Sequence, residues 1–387
     1  MKKLPAWKLK RELARLAGHS LRVVPDTWEY LTLTRRYDRD VSKDQKLHQG
    51  EKSLSAEVAI YLIFPSDGVL TSHLQMLDAL NSHDIAPVIV SNQWLSPTDL
   101  ETLKQQCALV IERPNVGYDF GGYRDAVLTL EEHLHELERL YILNDSVWMI
   151  DSEKSWFQQV READKDFCGA TSNYGIKRYS EADFRDIVWE YTPAHKNFHY
   201  ASYAIAVGQR ILRDPTFLAH WKGFKLSNDK KRTVRRGEIG LSKWVLDRHY
   251  SHAATCDVQD LDKELAKLAP DEIEDVTKNL IIPEKPRLLK KRNEVLQTDP
   301  LSEDGISDRN KVILTAVSLQ AMGYAMPYYT IKYRHFQFIK KSPLWLSRDS
   351  SDITLRILES LDGPLGRQAC LEAHQIVKQR PPESSPV

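Results

Sequence analysis

Three polar stretches of this chain carry residue types that could do chemistry. Asn144-Asp145-Ser146 sets a carboxylate between an amide and a hydroxyl. Asn115–Gly122 interleaves glycines at 117, 121 and 122 with Asn115 and Asp119, and Arg124 follows at once. Glu238 stands just after Lys222–Arg236, a segment with seven basic residues against one acid, Asp229. Glycines allow a backbone to come close to a ligand, and carboxylates can accept hydrogen bonds or hold a cation. Each feature also has a plainer reading. Glycines serve turns with positive φ, a turn aspartate can cap local backbone, and an acid beside a helix start is favoured by the helix dipole alone.

The elements around these residues give them a common place. Ala108–Arg113 is a short apolar run ended by Pro114, which reads as a buried strand. Tyr123–Leu140 has apolar residues at 126, 127, 130, 134 and 137, a helical spacing. Leu140–Leu143 is a second strand, with the acidic turn at its end. The unit is therefore strand, glycine turn, helix, strand, acidic turn, and both polar turns fall at the carboxyl edge where open α/β sheets bind ligands. Upstream, Val58–Phe64 and Ala86–Val90 read as strands. Leu70–Leu80 and Pro97–Gln106 read as helices, the second with Ser96 as N-cap. The alternation implies a doubly wound, mostly parallel sheet covered by helices on both faces.

After Trp148 the alternation weakens. Glu153–Glu162 is expected as a helix, Asp166–Thr171 as a strand and Phe198–Val207 as a β-rich run bracketed by His199 and Tyr203. Glu238–Tyr250 reads as an amphipathic helix with Glu238 at its start, and the remainder is mostly helical. Three regions follow: 1–55, a basic amphipathic helix (Met1–Gly18) with a loosely packed lead-in; 56–255, the α/β domain; and 256–387, mostly helical with a disordered tail. The 387 residues carry a formal net charge of zero, with 42% hydrophobic and 28% charged, so nothing global points to nucleic acid. Four scattered cysteines without a C-x-x-C pair argue against a disulfide framework or zinc knuckle and fit a reducing cytoplasm. No apolar run approaches the roughly 20 residues of a membrane span. The first 18 residues could instead lie on the inner face of an anionic membrane.

In this order the residues resemble the rhamnan synthesis F family of bacterial polysaccharide glycosyltransferases. The resemblance rests on NVGYDFGGYRDAV, LYILNDSVW and DFCGAT, then HYASYAIAV, PTFLAHW and GEIGLSKWVLDRHY, spanning about Ala56–Ala253. It implies a GT-A-like domain, with helical N- and C-terminal additions, that moves a sugar from a nucleotide diphosphate to a glycan. Two positions depart from the family pattern. Asn-Asp-Ser is usually followed there by Gly-Pro, where this chain has Val147-Trp148-Met149, and His-x-Gln-Ser-Tyr appears as His199-Tyr200-Ala201-Ser202-Tyr203.

The resemblance assigns expected roles. Asp145 would hold Mg²⁺ or Mn²⁺ on the diphosphate. Asn115, Gly117, Asp119, Gly121, Gly122, Arg124 and Asn144 would bind the donor, a dTDP-rhamnose-like nucleotide sugar. Glu238 would be the base of an inverting transfer. His199, Tyr203 and Trp148 would face the sugar or acceptor, although a lone histidine and most tryptophans more often serve packing. The acceptor would be a cell-surface polysaccharide or lipopolysaccharide, free or lipid-linked. The single-acid turn and the two departures keep an alternative of another class: a non-catalytic carbohydrate-binding or assembly protein on the same fold.

Overall fold

A computed structural model of the chain describes residues 29, 30 and 32–379. The expected membrane-surface helix at Met1–Gly18 and the expected tail at 381–387 lie outside the described residues. Strands are numbered in chain order: β1 Lys46–Gln49, β2 Glu57–Ile63, β3 Ile85–Ser91, β4 Leu109–Glu112, β5 Arg139–Asn144, β6 Val147–Met149, β7 Phe167–Gly169, β8 Ser172–Asn173, β9 His199–Tyr200, β10 Ala204–Gly208, β11 His252–Ala254 and β12 Phe338–Lys340. Eight form one sheet in the order β1-β4-β3-β2-β5-β10-β7-β11.

The sheet's centre, β4-β3-β2-β5, is parallel. The chain runs outward from β2 through β3 to β4, then returns to lay β5 on the other side of β2. That reversal is a topological switch point, where side connections diverge and leave a crevice beyond the strand ends. β10 then inserts antiparallel between β5 and β7, so the sheet is mixed and mostly parallel. Alternation along each central strand divides its side chains between two cores. Val58, Ile60 and Leu62 join Leu140 and Ile142 on one face; Ala59, Tyr61 and Ile63 join Tyr141 and Leu143 on the other. Helices Tyr118–Thr129, Pro215–Gly223 and Gly240–Asp247 cover the first face. Helices Thr71–Ser82, Pro97–Lys104 and Trp156–Ala163 cover the second, with much of the segment from 261 to 338. The doubly wound α/β expectation holds. Ser96 caps Pro97–Lys104 as expected, accepting the Asp99 amide.

Three local expectations are corrected. The helix expected over Tyr123–Leu140 starts five residues earlier, at Tyr118, and stops at Thr129. The glycine run is thus largely helix rather than turn, and two of its glycines pack where a side chain has no room. A Cβ at Gly121 would stand 2.0 Å from the Val116 carbonyl oxygen, and one at Gly122 would stand 2.2 Å from Leu62. The lead-in expected to be loose is, from residue 29, part of the fold. β1 pairs antiparallel with β4, and Tyr37, 1% exposed, reaches Asp125 and Arg113. Glu238 does not open a helix. Lys230–Val234, a π turn Arg235–Ile239 and Gly240–Asp247 run on without a break, and Glu238 sits within the π turn.

The C-terminal region is not a separate appendage. β12 pairs antiparallel with β6, directly after the acidic turn, setting Lys340 opposite Val147. This explains the departure at Val147-Trp148-Met149: all three are strand residues and buried. Trp148, Ile150, Ile339, Leu344 and Ile357 form a third core with the last helix, Pro364–Lys378.

Candidate functional site

The crevice at the switch point opens into a cleft of about 380 Å³. The first turn of helix Tyr118–Thr129 gives it Tyr118 and Asp119. The end of β5 gives Asn144 and Ser146, and the segment before β10 gives Ser202. The π-broken helix adds Lys230, Thr233 and Glu238, and the C-terminal region adds Lys340 and Trp345. Parts of the chain more than 200 residues apart converge here because the sheet edge gathers strand ends from both halves.

Glu238 is the best-held carboxylate of the cleft. Its Oε1 accepts the Ser202 hydroxyl at 2.6 Å and the Ser202 amide at 3.2 Å. Its Oε2 faces His199 Nε2 at 3.6 Å. His199 Nδ1 lies 2.7 Å from the Asn197 carbonyl; a carbonyl only accepts, so Nδ1 carries a proton and fixes the ring's orientation. The π turn widens the helix by one residue and projects Glu238 toward β9 and β10, a use to which such bulges are often put. Gly237 makes the turn possible: a Cβ there would meet the Phe120 ring at 2.3 Å.

Asp119 and Asn144 form the opposite wall. Asn144 Nδ2 donates to Asp119 Oδ2 at 3.2 Å and to the Tyr123 hydroxyl at 2.9 Å. The Asn144 side-chain oxygen accepts the Ser146 amide and hydroxyl. Burial pushes the Asp119 carboxyl up to about 6, with Lys340 opposing the rise and Asp145 and Glu238 adding to it. Lys340 closes the group. Its Nζ donates to Ser146 Oγ at 3.0 Å and lies 4.2 Å from the centre of the Tyr203 ring. Burial pushes its ammonium down to about 8, against the pull of Glu238 and Asp119.

The other expected site residues lie elsewhere. Asp145 stands part-buried at the switch point, where its Oδ2 accepts the Phe64 amide at 2.7 Å and lies 3.4 Å from His73 Nε2. His73 Nδ1 accepts the Leu70 amide, so Nε2 holds the ring proton and points it at Asp145. Burial alone would raise the Asp145 carboxyl; His73, Lys341 and the Phe64 amide outweigh it and hold the group below its ordinary value. Because the Asp145 amide also donates to Leu62 O, the residue clasps the ends of β2 and β5. These contacts engage Oδ2 alone. Among the described residues, no three of the His, Cys, Asp and Glu side chains group so as to hold a metal ion.

Arg124 is buried away from the cleft, in a two-point pair with Asp38 at 2.8 and 2.9 Å. Trp148 is buried in the third core and donates its indole N–H to Glu372 at 2.7 Å. Tyr203 is buried, its hydroxyl 3.0 Å from Thr171 Oγ1, so only its ring face serves the site, beneath Lys340. Asn115 stands exposed on the turn. Gly117 adopts φ 82° at the helix start, where its amide donates to Asn228 Oδ1. The structure therefore brings together Asp119, Asn144, Glu238 and His199. It adds Ser146, Ser202, Lys230, Lys340 and Trp345. Ser202 stood within a quoted motif. Lys340 had no local signal, since its place depends on strand pairing across almost 200 residues.

Fold and cleft together define a structural class: an α/β protein with a polar cleft at its sheet's switch point, bearing two carboxylates and a part-buried lysine. Residues 87–314 match the family described as RgpF, rhamnan synthesis protein F, and the chain belongs to that family. The family's description refers to rhamnan synthesis. A protein of Sinorhizobium fredii, described as "Uncharacterized protein y4gN", is 35% identical over 237 residues, 61% of this chain and 57% of that one. The chain thus spans little more than half of that relative's length. A solved structure titled "Crystal structure of S. aureus TarS" is similar over 84% of this chain and 55% of that chain, at 10% identity and a TM-score of 0.26. No helix among the described residues is long and apolar enough to cross a membrane.

Proposed function

We propose that the chain is an inverting glycosyltransferase that moves a sugar, a deoxyhexose such as rhamnose, from a nucleotide diphosphate donor to a cell-surface polysaccharide or lipopolysaccharide acceptor. The observation that carries the reading is Glu238. It lies in a cleft at the sheet's switch point, oriented by Ser202 and faced by His199. In the proposed reaction the acceptor hydroxyl oxygen attacks the anomeric carbon and its proton passes to Glu238. The bond from that carbon to the diphosphate oxygen breaks, and the electron pair leaves with the diphosphate. A base must reach the hydroxyl it deprotonates, and a carboxylate fixed on one oxygen by two donors presents the other in a defined direction. Asp119 and Asn144 would accept and donate hydrogen bonds to donor hydroxyls, and the exposed ring of Trp345 suits stacking on a sugar or base. A peripheral membrane contact through residues 1–18, at the cytoplasmic face, would bring the enzyme to a lipid-linked acceptor.

The test is a screen of nucleotide sugars for binding and turnover, followed by Glu238→Gln on the active donor. The variant keeps size and hydrogen bonding but loses basicity. Donor affinity should persist while transfer falls by about two to four orders of magnitude. Near-normal transfer would remove Glu238 as base, and a chain that binds sugars but neither transfers nor hydrolyses any donor would be a carbohydrate-binding protein.

A further inference from the structure

Loss of a diphosphate leaving group needs positive charge where the electron pair arrives. Many enzymes supply it with a divalent ion held by carboxylates and phosphate oxygens. Here the one acidic residue of the turn after β5 gives one of its two oxygens to the protein. Asp145 Oδ2 accepts the Phe64 amide and faces the proton of His73 Nε2.

A different cation stands in the cleft. Lys340 enters from β12, and its Nζ donates to Ser146 Oγ, one residue beyond Asp145. An ammonium has three donors, and among the described contacts this one makes a single hydrogen bond and no ion pair within 4 Å. Its remaining surroundings are the Tyr203 ring face and the cleft itself. Asp119 and Glu238 stand close enough to favour its charge without binding it directly. Holding a lysine half-buried and unsatisfied costs stability, which is understandable if an anionic ligand completes its shell. Lys230 lines the same cleft from the exposed side.

We propose that Lys340, with Lys230 at the rim, receives the diphosphate of the donor, so that this cleft neutralises its leaving group with ammonium groups rather than with a protein-held divalent metal. The proposal rests on the reading of the chain as a nucleotide-sugar transferase. It places a functional group beyond residue 314, where the family match ends. Covalent bookkeeping is as in the proposed transfer: the departing oxygen keeps the electron pair and Lys340 donates a hydrogen bond to the phosphate that bears it. A bound ammonium distinguishes diphosphate from the bare nucleoside, because only the former offers anionic oxygens.

The test is calorimetric titration of the full chain with dTDP, UDP, thymidine and uridine, each with EDTA and with Mn²⁺. Wild-type protein should bind at least one diphosphate in EDTA, with at most a few-fold gain from Mn²⁺. Lys340→Met should weaken that diphosphate by about ten- to a hundredfold, the scale of a lost charge-assisted bond, and leave the matching nucleoside unchanged. Lys340→Arg, which keeps the charge, should recover much of the loss and guards against a folding artefact, with melting curves for both variants. Wild-type binding only in Mn²⁺, or Lys340→Met binding diphosphate like wild type, would overturn the lysine's role while leaving the transferase reading in place. Binding of no diphosphate under either condition would defeat the transferase reading, and this inference with it.

Discussion

At the scale of single residues, the cleft holds its two acids by different contacts. Glu238 is tied by Ser202, whereas Asp119 lies against Asn144 in a buried wall that disfavours its charge. Unfolded, an aspartate ionises above about pH 4; folded, Asp119 ionises only above about 6. Between those values the folded state holds the extra proton, so stability falls as pH rises through the window. Ionised Asp119 therefore destabilises the chain at neutral pH. Asp119→Asn keeps an oxygen to accept the Asn144 amide, so it should raise stability at pH 7–8 by on the order of 1–3 kcal/mol, a gain that vanishes near pH 4. Thermal melting across pH checks this. A variant no more stable than wild type at pH 8 would mean that nearby cations already offset the burial. If Asp119 binds donor, the same variant should bind it less well, a trade of stability against function.

Between elements, the meeting of the π turn with helix Tyr118–Thr129 decides whether Glu238 reaches the cleft. Gly237 has no room for a side chain, with the Phe120 ring 2.3 Å from where a Cβ would stand. Phe120 is itself stacked near Trp221 and Phe224 and cannot easily yield. Gly237→Ala should therefore cost about 1–3 kcal/mol, the range for overpacking. It should also displace Glu238, so transfer should fall more than stability. Gly223→Ala is the control, since nothing lies within 4 Å of its Cβ. It should melt within about 1 kcal/mol of wild type. Equal melting of the two variants would show that the π turn has slack.

For the whole molecule, the notable feature is how the C-terminal region is fastened to the sheet. Glu372, on the last helix, accepts the Ser72 amide at 2.9 Å, the Ser72 hydroxyl at 2.7 Å and the Trp148 indole at 2.7 Å. Burial alone would raise its carboxyl, but these donors outweigh burial and hold it below the ordinary glutamate value. The sign follows: its contribution is present above the unfolded glutamate pKa and is lost as pH falls through the lower folded value. Glu372→Gln replaces one acceptor oxygen with a donor and leaves a buried N–H unmatched. It should cost about 1–3 kcal/mol at pH 7, with a smaller difference from wild type in acid. Melting at pH 7 and at pH 4 measures both, and equal stability at pH 7 would show that the helix docks by its apolar face alone. Since β12 sits on the same β6 that carries Trp148, a loosened helix should also lower diphosphate affinity through Lys340.

Much of the fold was legible because buried parallel strands and covering helices leave local signatures. The runs Val58–Phe64 and Ala86–Val90, the capping Ser96 and the alternation of elements depend on side-chain period and turn chemistry, which neighbouring residues set by themselves. The crevice at the carboxyl edge was legible for the same reason, and so were Asp119 and Asn144 as polar residues near it, whereas Glu238 was singled out by the family resemblance and the basic segment before it. Tertiary structure decided what each polar group faces. Asp145 stands at the expected strand end, but the approach of β2 turns it into a clasp with Phe64 and His73. Arg124 and Trp148 carry polar groups that partners far along the chain satisfy. Glu238 lost its expected helix start because a π turn joins two helices around a glycine pressed on Phe120. Lys340 could not be found from its neighbours, because its place in the cleft follows from the register of β12 on β6, a long-range pairing that no local period encodes.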